Sequence, residues 1–450
     1  WEVQATGMST NRIRPRIDTS YTSKIGNFSV TTGLAYDVDL ADNLVGHEHI
    51  VSADGEWLER GPNDDRRRAK QAHASLAVSG HLGATKINAN ASYREQQFRR
   101  NWVYNAFRPS GLAPFRIDQG HESHDGQNLE LGADLERSII GWTVKLAVLA
   151  KADDYDDLSW AGFNTVGDPR RFDRFCSLSK NTERVERITS SRKFGDHQIE
   201  TGGEYAYNSL DFTGEYSQGD GTAFVVQPSD IAKTTVSEDR MEAFVSDSWT
   251  LSPKLTLEST LTGEWSRIEQ SGDAAKSRSF FYPKPRIKAA WKPRDGWTYR
   301  LELERSVGQL DFGAFADSAS VGDNNQNSGN PDLRPEKIWS SLVGVEKRWG
   351  KRGVLNASLV QENFTDQLTL VPTGNGGVAL GNVRDAKRWG YDLSWTLPLA
   401  VILDGLELTG YYRWRTSELV DPITYQSRPF SGWNGRDRKS TRLNSSHLVI

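Results

Sequence analysis

Side chains able to hold a metal gather at three places in the sequence. His47-Glu48-His49 and His121-Glu122-Ser123-His124-Asp125 place imidazoles beside carboxylates, the donor types that zinc and other borderline cations take. On an extended strand His47 and His49 share a face, which permits a transient metal contact. Neither run supplies a closed ligand set, so both read as solvated polar stretches and no metal site is expected. The run Asp153-Asp154-Tyr155-Asp156-Asp157 could hold a hard cation through carboxylate oxygens; it lacks the EF-hand spacing and reads as a hydrated loop. Arginines offer a second chemistry. Asp64-Asp65-Arg66-Arg67-Arg68 and Asp168-Pro169-Arg170-Arg171-Phe172 could grip carboxylates or phosphates bidentately, on a solute or on lipopolysaccharide. Solubility and loop pairing explain them at least as well. Aromatic residues at Trp102, Tyr104, Phe107, Phe115, Trp160, Phe163, Phe172 and Phe175 give the same stretches apolar capacity. Arg66, Arg67, Trp102, Tyr104, Trp160, Arg170 and Arg171 are therefore the candidate ligand contacts. A bulky, partly aromatic ligand such as an iron chelate would suit that mixture. No Ser, His and Asp arrangement, phosphate loop or dinucleotide fingerprint stands in context. The chain is not read as an enzyme, and no cofactor is expected.

The elements that position these residues are strands. In 450 residues, Lys and Arg number 55 against 59 Asp and Glu, a net charge of −4, which argues against a chain built to coat nucleic acid. Mean hydropathy is −0.62, and no stretch approaches the roughly 18 apolar residues of a helical membrane span. The lone Cys176 excludes an internal disulfide framework and a cysteine zinc cage. Period-two alternation, by contrast, recurs. Leu255, Leu257, Leu261 and Trp265 alternate with Thr256, Glu258, Thr260, Thr262 and Glu264. Trp297, Tyr299, Leu301 and Leu303 alternate with Thr298, Arg300, Glu302 and Glu304; Leu408, Tyr412 and Trp414 alternate with Glu407, Tyr411 and Arg413. Segments of about ten residues match a tilted strand crossing a bilayer.

Short turns at Lys24–Asn27, Ser138–Gly141, Lys193–Asp196, Ser252–Lys254, Pro293–Gly296 and Gly350–Gly353 join strand pairs. Long polar stretches, among them 39–71, 98–126, 153–181 and 306–335, separate the pairs and read as outer loops. Short turns on one side and long loops on the other suit an outer-membrane barrel, here of about sixteen strands in eight hairpins. A soluble propeller or sandwich also alternates. It would not place Glu, Arg and Lys in mid-strand on the polar face, nor Trp and Tyr so often near strand ends. The mid-strand charges Glu258, Glu264, Arg300, Glu302, Glu304, Glu407 and Arg413 are the candidates for a wet lumen wall, with inward polar filler as their plain alternative.

The most specific segment is Gly329-Asn330-Pro331-Asp332-Leu333-Arg334-Pro335-Glu336. Asn330-Pro331 favours a turn, and Pro335 holds its predecessor extended where a strand begins. This octet resembles the element found in TonB-dependent outer-membrane receptors, where a long outer loop descends into a barrel strand. Gly308-Gln309-Leu310-Asp311-Phe312 before it resembles the family too. So do Asn363-Phe364-Thr365-Asp366-Gln367-Leu368, Gly381-Asn382-Val383 and Gly390-Tyr391-Asp392-Leu393 after it.

The resemblance implies an all-β chain: a transmembrane antiparallel barrel, about sixteen strands of the 22 the family has. It implies a receptor that imports a scarce solute such as a ferric siderophore, energised by TonB and its inner-membrane motor. A plug segment carries that contact in the family and is expected outside this sequence. Outer-membrane lipid, lipopolysaccharide and a small solute would be its other partners; no nucleic-acid partner is expected, and the barrel would be monomeric. A passive porin and a soluble β-rich surface module remain as alternatives. The sequence opens at Trp1 without a signal segment, so targeting information is expected elsewhere, and residues 1–433 are read as a partial barrel. Asp437 to His447 shows neither alternation nor turn logic, and 434–450 is read as a non-native tail left by adaptor read-through.

Overall fold

A computed structural model describes residues 1–7, 13–41, 46–52, 54–321, 325–373, 378–399, 405–430 and 442–443. These form one sheet of 23 strands. Seventeen follow one another edge to edge as an antiparallel meander: Glu2–Gly7, Ile13–Ile25, Phe28–Ala41, Trp57–Leu82, Thr85–Ala106, Arg116–Ile139, Trp142–Thr165, Arg171–Phe194, His197–Gly219, Lys233–Ser252, Leu255–Gly272, Lys276–Trp291, Trp297–Val307, Lys337–Trp349, Gly353–Pro372, Val378–Pro398 and Glu407–Val420. Six short strands decorate it. Among the described residues, the first strand does not pair with the last, so the sheet is open. Residues 434–450, the expected tail, lie outside the described residues except for Arg442–Leu443.

The short turns fall where sequence places them. Ile25 pairs with Phe28, Ile139 with Trp142, and Phe194 with His197, so two residues close each hairpin. Gly26 and Gly195 take φ of 59° and 58°, the left-handed backbone that tight hairpins need. At Ile140-Gly141 both residues do, with φ 50° and 78°.

Strand length departs from expectation. Trp57–Leu82 has 26 residues, and Arg116–Ile139, Trp142–Thr165 and Arg171–Phe194 have 24 each. The polar stretches read as loops are largely continuations of the strands. Beyond a bilayer both faces of a strand meet water, so hydrophobic alternation fades while ladder hydrogen bonds continue.

The register defines two faces. Val245 stands opposite Leu261, Met241 opposite Trp265 and Ile287 opposite Leu303. These side chains are 42–59 % exposed. The alternate residues carry charge and are more covered, an inversion of soluble packing. Aromatic residues on the apolar face fall into two belts. Trp142 meets Phe194 and Trp291 meets Tyr299 near the short turns. Trp265 meets Phe281 at 4.9 Å and Trp389 meets Trp414 at 4.8 Å further up. In one hairpin Leu255 pairs with Trp291 and Trp265 with Phe281. The belts are thus separated by about ten residues, the span of a tilted strand through hydrocarbon.

The described residues of 308–336 leave the meander, keeping only the short strands Ser318–Ser320 and Asn325–Ser328 in the sheet. They make a 3-10 turn at Phe312–Phe315 and fold back over the polar face. Phe315 and Leu333 pack there against Val236 and Ile268. A second small cluster joins Phe364, Ala386 and Leu419.

Candidate functional site

All seven mid-strand charges named from sequence fall on the polar face. Lys284 Nζ reaches Glu264 and Glu242 at 2.7 Å each, from three adjacent strands. Arg300 pairs with Glu346 at 2.9 Å, and Lys288 with Glu302 at 2.9 Å. Arg286 sits 3.9 Å from Glu304, and Arg352 2.9 Å from Glu407. Asp392 receives Arg413 at 2.8 Å and Arg415 at 2.6 Å. Glu258 stands in register with Lys288. Cross-strand pairs of this kind stabilise neighbouring strands modestly. They also leave a wall of nearly balanced charge that water can wet.

The octet is a clamp. Asn330 Oδ1 accepts from the Asp332 amide at 2.8 Å, closing the turn, while its Nδ2 donates to Leu380 O at 2.8 Å. Gly329 donates to Asp317 Oδ1 at 2.8 Å. A Cβ at Gly329 would stand 2.4 Å from Phe315 O, so only glycine fits. Asn382 Oδ1 accepts from the Arg334 amide, and its Nδ2 donates to Arg334 O and Asp366 O, all at 2.8 Å. Arg278 donates to the carbonyls of Pro331 and Leu333, and Lys276 pairs with Asp332. Leu333 is fully buried, and Gln367 Nε2 donates to Glu336 at 3.0 Å. The octet therefore ties segment 308–336 to three strands, Lys276–Trp291, Gly353–Pro372 and Val378–Pro398, and Lys337–Trp349 begins directly after it.

The candidate ligand contacts do not form one group. Arg67, Trp102 and Tyr104 share the polar face at the outer ends of their strands. Alternation puts Arg66 and Trp160 on the other face, where Arg66 binds Asp64 at 3.0 Å and Trp160 stacks on His121. Arg170 lies in a turn; Arg171 begins a strand and pairs with Asp173 at 3.3 Å. Except for Arg170, all of them stand on strands rather than in loops.

The metal-like runs are divided in the same way. His121 bonds Asn101, while His124 faces the other side and bonds Asp157. The acidic run splits, with Asp153 held by Asn128 and Lys151 at 2.8 Å each. Among the described residues no three metal-ligating side chains converge.

Sequence reading named Asp65 only within the run 64–68 and did not single out Arg100, Arg116, Glu59 or Asp118, which complete the outer polar face. Asp65 is buried and takes both Arg67 and Arg100, at 2.7 and 2.9 Å. Arg116 bonds Asp118 through Nε at 2.9 Å and Glu59 through both terminal nitrogens at 3.1 and 2.9 Å. Arg67–Asp65 and Arg116–Asp118 are two residues apart on one strand, whereas Arg100–Asp65 and Arg116–Glu59 join residues far apart along the chain, which no local signal marks. Arg100, Arg116, Glu59 and Asp118 border a cavity of about 280 Å³ walled by Trp102, Tyr104 and Phe163.

Comparison with known proteins fits this architecture. A family model described as "TonB dependent receptor-like, beta-barrel" matches residues 75–447. No curated protein matches by sequence. Among solved structures, the copper transporter OprC superposes with a TM-score of 0.62 at 13% identity, covering 95% of this chain and 61% of that one. The siderophore receptor PiuA from Acinetobacter baumannii gives 0.60 at 13%, covering 97% and 66%. P. aeruginosa FpvA, solved with heterologous pyoverdines bound, gives 0.60 at 12%, covering 92% and 55%. Such identities speak for the fold alone. The chain spans about three fifths of the length of these structures.

Proposed function

Because the chain belongs to the TonB-dependent receptor β-barrel family, a family of transporters and not of enzymes, we propose that it forms the wall of an energised importer in the bacterial outer membrane. The observation that carries this reading is the inverted burial: an exposed apolar face, belted by aromatics, backs a charged and paired polar face. A wall of that kind is solvated by hydrocarbon outside and by water inside. Lipid and lipopolysaccharide would cover the apolar face of a monomeric barrel, and a small solute would pass along the polar one.

The seven mid-strand charges are proposed as lumen wall. The octet is proposed as the organiser of the segment folded over it. Its residues are engaged by their own chain, which supports a positioning role in place of ligand contact. Transport would draw on TonB through a plug segment of the kind this family carries. A siderophore or another scarce chelate is the proposed cargo, in line with what PiuA and FpvA are named for.

The test is uptake of a panel of radiolabelled ferric chelates by cells expressing the complete protein, with and without functional TonB. Uptake that requires TonB supports the reading. Uptake that persists without it indicates passive diffusion through a porin and overturns the energised mechanism.

A further inference from the structure

On the polar face Lys284, Arg300, Arg352 and Arg413 each meet a carboxylate at 2.9 Å or less. The opposite face of the same wall differs at its short-turn end. Trp297 stands on the apolar face, in register with Lys347 on the next strand. Lys347 Nζ lies 4.8 Å from the centre of the Trp297 ring, and the Arg294 guanidinium, from the turn before that strand, lies 5.0 Å from it. Among the described residues no carboxylate comes within 4.0 Å of either cation. Asp295, beside Arg294 in the turn, is outside that reach, and Glu346 on the polar face is taken by Arg300 and Arg348. One indole therefore gathers two like charges. A ring face attracts a cation but leaves its N–H donors free.

The surroundings decide what those donors could meet. Trp291 meets Tyr299 in the turn-side aromatic belt, so the two cations sit at the edge of the hydrocarbon, at the depth of lipid headgroups. Further along the wall Tyr299 stands opposite Val345 and Leu301 opposite Val343, and Leu301 and Val343 are exposed. An anion attached to an apolar tail matches both features. A headgroup carrying its own ammonium would set a third cation beside two.

We propose that Arg294, Lys347 and Trp297 form a headgroup site for an anionic phospholipid of the phosphatidylglycerol type, with both cations donating to its phosphate oxygens and an acyl chain lying along Tyr299, Leu301 and Val343. The inference rests on the outer-membrane barrel reading above, in which the short turns face the periplasmic leaflet.

The complete protein, folded in detergent, is titrated with phosphatidylglycerol or with phosphatidylethanolamine of the same acyl chains, and retained lipid is read by native mass spectrometry. Phosphatidylglycerol binds about tenfold more tightly, a step of one decade in Kd. Arg294→Gln and Lys347→Gln each lower its affinity about fivefold, the share of one interfacial cation, and leave heat-modifiable migration unchanged. Lys347→Arg keeps the preference. So does Arg192→Gln, which removes a cation resting on Phe194 elsewhere on the wall. Equal binding of the two lipids overturns the proposal, as does a preference that survives Arg294→Gln combined with Lys347→Gln. Displacement of phosphatidylglycerol by an equal concentration of inorganic phosphate assigns the site to the free anion and overturns the lipid assignment. A chain that never becomes heat-modifiable in vesicles removes the barrel reading, and the site with it.

Discussion

Glu264 and Trp265 are consecutive residues of one strand, yet Glu264 is 6% exposed and Trp265 is 50% exposed. A soluble β-sheet buries the indole and shows the carboxylate to water. Here Glu264 is held by Lys284 on the polar face while Trp265 meets Phe281 in the upper aromatic belt. The ordering makes sense only if hydrocarbon lies beyond the tryptophan.

Leu261 sits between the two belts on the apolar face, 56% exposed. Leu261→Arg should destabilise the folded barrel in lipid by about 2–4 kcal/mol, the cost of a cation near the bilayer midplane. Thr262→Arg, one residue on and facing the other way, should cost far less. Urea unfolding in vesicles, followed by tryptophan fluorescence, reads both.

Lys284 serves two carboxylates at once. Lys284→Met leaves Glu242 and Glu264 facing each other with only Arg240, 3.8 Å from Glu242, beside them, and a loss of roughly 2–3 kcal/mol is expected, between the values for exposed and fully buried pairs. Adding Glu242→Gln should recover part of it. A double variant no better than the single one would show that the three groups do not act together.

Asn382 joins the octet to the irregular point at Asp366, whose φ is 58°. Asn382→Ala removes three hydrogen bonds, at about 1 kcal/mol each. Hydrogen exchange should then quicken in 329–336 and around 366 while the turn-side halves of the strands remain protected. Uniformly faster exchange would contradict the clamp.

Segment 308–336 is pinned at Asp317. Burial pushes its carboxyl up, but the Ser229 hydroxyl and the Gly329, Ile231 and Asp230 amides outweigh that and hold it below the ordinary value of 3.8. Because the folded value is depressed, its stabilisation is fully present above pH 3.8 and lost as pH falls through the folded value. The segment should resist proteolysis at neutral pH and at pH 5, and open only in stronger acid. Asp317→Asn should open it at pH 7.

Much of this was legible in the sequence, but only where the surroundings differ on the two sides of a strand. Leu255–Trp265 and Trp297–Glu304 alternate because hydrocarbon and water face each other across them, and their in–out assignment follows directly. The hairpin turns show through glycines such as Gly26 and Gly195. The octet declares a turn before a strand. Above the upper belt both faces are wet, so Arg116 to Gly126 reads as loop although it is ladder throughout. For the same reason Arg66 and Arg67 look alike in sequence but point apart. Pairing such as Arg116 with Glu59 depends on strand register, which no local pattern encodes. The expectation of about sixteen strands becomes seventeen in the meander, Glu2–Gly7 among them.

The division of the wall into a lipid face and a water face is tested most directly by single cysteines at positions 258 to 265. The background is Cys176→Ser, in outer-membrane vesicles of the complete protein. An aqueous thiol reagent should label positions 258, 260 and 262 and spare 259, 261, 263 and 265, a period-two pattern, with 264 shielded on the same polar face. Equal labelling of both sets, or labelling of the odd set alone, would contradict the account.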